Sequence, residues 1–161
     1  MDGAVAPPTL VAIALGSNLG DREAHLAFAV GRLAALLTNL RQSTWHDNAA
    51  IGVTDQPRYL NGVVVGTTTL TPRELLDRLL AIEREDGRER PARWAARTLD
   101  LDLILYGSAR LAQPGLVVPH PRFRERLFVL EPLADLEPGW VDPVSGVAVS
   151  ELLQRARQRL S

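Results

Sequence analysis

The chain has 161 residues, 46% hydrophobic and 23% charged, with a net charge of −1. That size suits one domain with a real core, and the near-neutral balance argues against a nucleic-acid surface. It has no cysteine, and its 18 basic residues are all arginine, which excludes disulfides, thiolate catalysis, cysteine-held zinc, a phosphate-loop lysine and a Schiff-base lysine.

No apolar run reaches membrane-spanning length. Residues 1–9 lack the basic start and apolar centre of a signal peptide and read as a flexible tail. The expectation is a single domain over residues 1–161, soluble and cytoplasmic. Residues 10–15 form a short apolar run, a buried strand. It ends in Gly16-Ser17-Asn18-Leu19-Gly20-Asp21, where glycine permits a tight turn and Asp21 can cap the next helix. Such a turn either cradles phosphate or is simply a turn; it lacks the usual phosphate-loop signatures. Leu26, Ala29, Val30, Leu33, Leu36, Leu37 and Leu40 recur at helical steps, giving an amphipathic helix over 22–39. His25 near its start is expected at the surface.

Residues 41–46 are expected as a second strand and 47–57 as a loop. The Val63-Val64-Val65 run with its following threonines marks a third strand over 59–69. Tyr59 and Asn61 fall on one face of it. A ring and an amide there suit a flat heterocycle, or simply a strand end and a turn. Thr71-Pro72-Arg73-Glu74 reads as a helix start with a capping box. That helix is expected to run to Asp86 and stop at Gly87. Glu83, Glu85 and Asp86 crowd its end, where the helix dipole disfavours negative charge. This marks either a functional demand or a solvated end.

Residues 88–96 form a loop with Arg88, Arg90, Arg93 and Trp94. It leads through Arg97 into a strand over 99–106. There the alternation puts Leu99, Leu101, Leu103 and Leu105 on one face and Asp100, Asp102, Ile104 and Tyr106 on the other. Two carboxylates roughly 7 Å apart on an apolar strand repel unless a cation or proton lies between them. Hard oxygen ligands suit Mg²⁺, and arginine forks suit phosphate, so the stretch points to phosphoryl transfer. A solvated edge strand is the alternative. Residues 116–118 are a further short strand. Pro119-His120-Pro121 presents a histidine pinned by two prolines, a positioned side chain or a plain turn. Residues 123–133 have helical spacing with Arg122, Arg124 and Arg126 beside it. Residues 138–146 look irregular, and 150–160 close with a helix capped by Ser150. The order of elements predicts a ferredoxin-like βαββαβ α+β fold, helices on one face of an antiparallel sheet, with C-terminal additions.

Several motifs in this order resemble the 6-hydroxymethyl-7,8-dihydropterin pyrophosphokinases of folate biosynthesis. They are Ala14 to Asp21, Asp55-Gln56-Pro57 with Tyr59-Leu60-Asn61, Ile82-Glu83, Gly87-Arg88 with Arg90, Arg93-Trp94, Arg97-Thr98-Leu99-Asp100-Leu101-Asp102, Val118-Pro119-His120-Pro121, and Arg126 with Phe128. The resemblance spans nearly the whole chain. It implies transfer of pyrophosphate from ATP to the pterin hydroxymethyl oxygen, with AMP leaving and two Mg²⁺ ions. It implies Asp100 and Asp102 as metal ligands, and Arg88 and Arg97 as phosphate-binding arginines. Glu83, Trp94, His120 and Arg126 then lie on the ATP side, and Ile51, Tyr59, Asn61 and Phe128 on the pterin side. It also suggests a monomer with small-molecule partners only, neither nucleic acid nor membrane. The chain departs from the family's pattern at Asn48-Ala49-Ala50, where Thr-Pro-Pro is usual, and at Ala95-Ala96, where Gly-Pro is usual. Its arginine loop is about one residue shorter. The rival readings are a two-metal phosphotransferase with another acceptor and a non-catalytic ligand-binding module.

Overall fold

The computed structural model describes residues 7–48, 58–88 and 99–160, with the side chain of Arg88 outside that description. The first strand, β1 (Thr9–Ser17), is longer at both ends than its apolar run. It leads into helix α1 (Arg22–Leu36), capped by the Asp21 carboxylate, which accepts from the Ala24 N–H at 3.1 Å. The helix ends before residue 39 because Leu37 turns extended, its N–H still bonded to Leu33 O. The next strand therefore begins earlier, as β2 (Thr38–Gln42), and resumes after a break as β3 (His46–Asn48). In the break, Ser43 Oγ accepts the Val63 N–H at 2.9 Å. Both β2 and β3 pair with β4 (Tyr59–Thr68).

Helix α2 (Pro72–Arg88) opens on the expected capping box. Thr71 N–H donates to Glu74 Oε1 at 2.9 Å and Glu74 N–H to Thr71 Oγ1 at 3.2 Å. It does not stop at Gly87 but continues to Arg88. Strand β5 (Asp100–Tyr106) follows. The five strands make one antiparallel sheet in the order β2–β4–β1–β5, with β3 also on β4. A hairpin of β6 (Leu111–Gln113), which the sequence did not announce, and β7 (Leu116–Val118) lies apart.

The two helices α1 and α2 lie on one face of the sheet, and the C-terminal helices cover the other. Val11, Ile13, Leu15, Val64, Leu101 and Leu103 pack under α1 and α2 with Leu26, Leu33, Leu75 and Leu79. On the other face Ala12, Val63, Val65 and Leu105 pack with Phe123, Leu130 and Leu133. Those last residues belong to a 3₁₀ turn (Phe123–Glu125) and helix α3 (Leu127–Leu136), joined there by α4 (Val149–Leu160). The expected single helix over 123–133 is broken because Arg126 is extended. Ser150 lies inside α4 rather than capping it. Each fully buried Leu, Ile or Val on these faces contributes about 1.5–3 kcal/mol. The unbroken valine run of β4 is buried on both sides for this reason.

The alternation of β5 also changes hand partway. Ala12 pairs with Leu105 and Ile13 with Leu103, so Ile104 is the extra residue of a bulge. Leu105 therefore joins the α3 side and Tyr106 the α1–α2 side, opposite to strict alternation. The stretch 138–146 is ordered around the buried Asp142 and a bridge between Val141 and Ala148. Trp45 lies over Gly62, its Cζ3 only 2.5 Å from where a Cβ would stand. Gly62→Ala is expected to cost about 1–3 kcal/mol by overpacking against a rigid indole, read as a lowered melting temperature.

Candidate active site

Opposed residues of an antiparallel sheet share a face. Gly16 pairs with Asn61 on one side and Asp100 on the other; Ala14 pairs with Val63 and Asp102. Asn61, Gly16 and Asp100 thus form one cross-strand row, with Val63, Ala14 and Asp102 in the next. Both rows lie on the α3 side of the sheet, and Tyr59, two residues before Asn61, faces the same way. Gly16 sits in the middle of its row without a side chain. The Asn61 amide fills that space, its Oδ1 2.7 Å and the Tyr59 Cδ1 3.7 Å from where a Gly16 Cβ would be. Burial, with the Asp100 charge adding to it, raises the Tyr59 hydroxyl above its ordinary range. Asn61 is buried, Asp100 half-buried and Asp102 exposed. β5 is an end strand of the sheet, and its two carboxylates share the face that carries Tyr59 and Asn61.

His120 reaches the same place from beyond β7. Its backbone N–H donates to Ile104 O at 2.9 Å, which fastens it to β5. Its Nδ1 accepts the Arg122 N–H at 3.1 Å, so Nε2 carries the proton of the neutral ring and is a donor. Burial lowers the His120 pKa; the Asp102 charge opposes this, and Arg126 and Arg122 reinforce it. Arg126 stands at the start of α3 with its guanidinium carbon 5.6 Å from the Phe128 ring centre, a cation–π contact. Phe128 packs against the core on this face.

Glu83 is placed differently. It projects from α2, and its Oε2 accepts the Leu101 N–H at 2.7 Å, between the two aspartates in sequence. Ile51, Trp94 and Arg97 lie outside the described residues, as does the side chain of Arg88. The structure thus brings together Tyr59, Asn61, Asp100 and Asp102 on the sheet, with His120, Arg126 and Phe128 beside them. Among the described residues no group of three or more His, Asp or Glu makes a complete metal cage. Two hard carboxylates fit Mg²⁺, which takes few protein ligands and fills its shell with water and substrate phosphates.

Residues 12–138 match the family model of 7,8-dihydro-6-hydroxymethylpterin-pyrophosphokinase. The chain belongs to this family. The 2-amino-4-hydroxy-6-hydroxymethyldihydropteridine pyrophosphokinase of Synechocystis is 44% identical over 145 residues, covering 89% of this chain and 74% of the relative. The protein of the same name from Bacillus subtilis is 46% identical over 126 residues, covering 77% and 75%. Among solved structures, wild-type Plasmodium falciparum HPPK-DHPS with SDX-DHP superposes with a TM-score of 0.76 at 12% identity. It covers 96% of this chain, which spans 45% of that one. At that identity the likeness concerns the fold.

Three features escaped sequence reasoning. Gly16 is not a turn glycine but lies inside β1; a glycine inside a strand beside polar partners is the signal for a close approach. Gly16→Ala is expected to push the Asn61 amide aside and weaken binding of a ligand that bonds to that amide by about tenfold, one hydrogen bond's worth. ATP-analogue binding should be unchanged, a contrast that titration of each ligand checks. Ser17 Oγ, at the end of β1, and Asn18 Oδ1, just past it, are buried without hydrogen-bond partners among the described residues. His25 is not a surface residue: it is 4% exposed and bonded to Asp86. The acidic end of α2 is not simply solvated either, since Glu83 holds Leu101 N–H, Glu85 pairs with Arg32 at 2.6 Å, and Asp86 holds His25.

Proposed function

We propose that the protein transfers the pyrophosphoryl group of ATP to the hydroxymethyl oxygen of 6-hydroxymethyl-7,8-dihydropterin, releasing AMP. The observation that carries the reading is the row Asn61–Gly16–Asp100 with Asp102 beside it: a heterocycle-reading amide next to two metal-suited carboxylates. In the reaction the pterin hydroxyl oxygen bonds to the β-phosphorus. The bond from that phosphorus to the α–β bridging oxygen breaks, AMP keeps the bridging oxygen, and the hydroxyl proton is lost. Two Mg²⁺ ions held by Asp100 and Asp102 would neutralise phosphate charge and lower the pKa of the attacking hydroxyl.

The chain's own residues bind and orient. Asn61 pairs with the polar edge of the pterin while Tyr59 and Phe128 flank its plane and Ile51 walls the pocket. The His120 Nε2–H and Arg126 donate to ATP, with Glu83 on the nucleotide side. Arg88 and Arg97 grip phosphate oxygens with planar forks. Trp94, in the segment between them, helps exclude water and so limits wasteful hydrolysis. We also assign the first five strands and two helices to the ferredoxin-like fold. The strand order supports this, once β2 and β3 are taken as one interrupted strand. We further infer a single-domain protein that acts in the cytoplasm as a monomer. Among the described residues no helix is long and apolar enough to cross a membrane.

The reading is tested at the site by titrating Mn²⁺, as a paramagnetic substitute for Mg²⁺, into the protein with a non-hydrolysable ATP analogue and the pterin. Electron paramagnetic resonance should count two bound ions per chain, lost when Asp100 and Asp102 are both replaced by alanine. Undiminished Mn²⁺ binding by that double variant would overturn the assignment.

A further inference from the structure

The proposed reaction makes no use of His25 and Asp86. Yet they form a buried pair, His25 Nδ1 standing 2.7 Å from Asp86 Oδ1 with the residues 4% and 5% exposed. His25 Nε2 is buried with no hydrogen-bond partner among the described residues. Burying such groups is unfavourable, and removing one partner of a buried pair leaves the other uncompensated. The place of the pair in the fold suggests what it does.

Asp86 lies three residues past Glu83, one turn along α2. Glu83 takes the Leu101 N–H at 2.7 Å. Because β5 is an end strand, Glu83 acts where a further strand would otherwise pair. Leu101 is flanked directly by Asp100 and Asp102. On the other side of the pair, His25 stands in the first turns of α1. Its N–H bonds to Asp21 O at 3.1 Å, so it is attached to the turn that leaves β1 after Gly16 and Ser17. A second link between the helices, Arg32 to Glu85, is 52% and 36% exposed and therefore weak. Of these two polar links between α1 and the last turns of α2, the buried pair is the firmer, and it adds to the apolar packing of Leu26 and Leu33 with Leu75 and Leu79.

We propose that His25 and Asp86 are positioning residues: by locking the end of α2 against α1 they keep Glu83 on the Leu101 amide. They thereby fix the segment of β5 that carries Asp100 and Asp102. The inference rests on the proposed function for what those aspartates do, but its geometric part can be read without it. The Asp86 carboxylate, an acceptor, takes the Nδ1–H of His25. Asparagine at position 25 would place an amide N–H where Nδ1 is and remove the buried Nε2; leucine would remove the hydrogen bond that His25 gives the Asp86 carboxylate.

The test is amide hydrogen exchange, followed by NMR on the full chain, for the unaltered protein, His25→Leu and His25→Asn. The readout is the Leu101 amide relative to that of Ile13 in the middle of the sheet. In His25→Leu, Leu101 exchange should accelerate about tenfold more than Ile13, a local opening, and His25→Asn should restore it. Binding of Mg²⁺ with the ATP analogue should weaken about tenfold in His25→Leu and recover in His25→Asn. Equal acceleration at Leu101 and Ile13, or no acceleration at Leu101, means the pair serves general stability and overturns the proposal. If His25→Leu does not fold, Asp86→Asn, which still accepts from Nδ1–H but without charge, should give a smaller selective acceleration at Leu101. A uniform or absent response there overturns the proposal equally. An unaltered protein that makes no AMP would defeat the functional reading while the Leu101 response stands. An active enzyme with an indifferent Leu101 amide would defeat the positioning role alone.

Discussion

Asp100→Ala and Asp102→Ala are each expected to lower pterin-dependent AMP formation by about 10³-fold, some 4 kcal/mol of transition-state stabilisation. Both carboxylates stand on the α3 side of β5, opposite the face that buries Leu101 and Leu103. Neither belongs to the apolar core, so folding should survive their loss. Removing one of two like charges on the same face even relieves repulsion. Melting temperatures should therefore stay within a few degrees of the unaltered protein while activity collapses. Steady-state rates at saturating ATP and pterin, measured beside thermal melts, check this. A variant that keeps activity within tenfold would remove the carboxylates from the chemistry.

Asp142→Ala is expected to have the opposite profile, a loss of about 3–5 kcal/mol of stability. The Asp142 side chain is fully buried and accepts from Arg124 Nε at 2.5 Å and Nη2 at 2.9 Å. It also accepts from Val144 N–H at 3.1 Å, Ser145 N–H at 3.3 Å and Ser145 Oγ at 2.6 Å. Truncation leaves the Arg124 guanidinium and those donors without their acceptor. Arg124 also lies over the Phe123 ring at 4.8 Å, and Phe123 anchors the second core. Burial pushes the Asp142 carboxyl upward, but the bonds from Arg124, Ser145 and Val144 outweigh it and bring its pKa from 3.8 to about 2. The folded pKa is the lower one, so this stabilisation is complete above pH 3.8 and disappears as pH falls through about 2. Linkage puts it at about 2 kcal/mol. Melting curves between pH 7 and 2 should show the unaltered protein losing stability in acid. Asp142→Ala, already without this contribution, should lose less over that range.

The chemistry-bearing face of β5 was legible because period two is local: Asp100 and Asp102 need only their own strand to share a side. The change of hand after Leu103 was not, because the bulge is set by pairing with Ala12 and Ile13 some ninety residues earlier in the chain. The second layer of helices had a sequence sign that went unused. Val63-Val64-Val65 offers no polar face to water, as expected for a strand covered on both sides. The burial of His25 carried no local sign at all. Its partner Asp86 is 61 positions away, and a lone histidine near a helix start looks the same exposed or paired. The Thr71–Glu74 capping box and the Asp21 cap were readable because a cap is satisfied within four residues.

The most direct measurement is to incubate the protein with ATP, Mg²⁺ and 6-hydroxymethyl-7,8-dihydropterin and separate the nucleotide and pterin products. AMP formed only in the presence of the pterin, together with an equal amount of diphosphorylated pterin, is the expected result. ADP with a monophosphorylated pterin, or AMP released regardless of the pterin, would contradict the account.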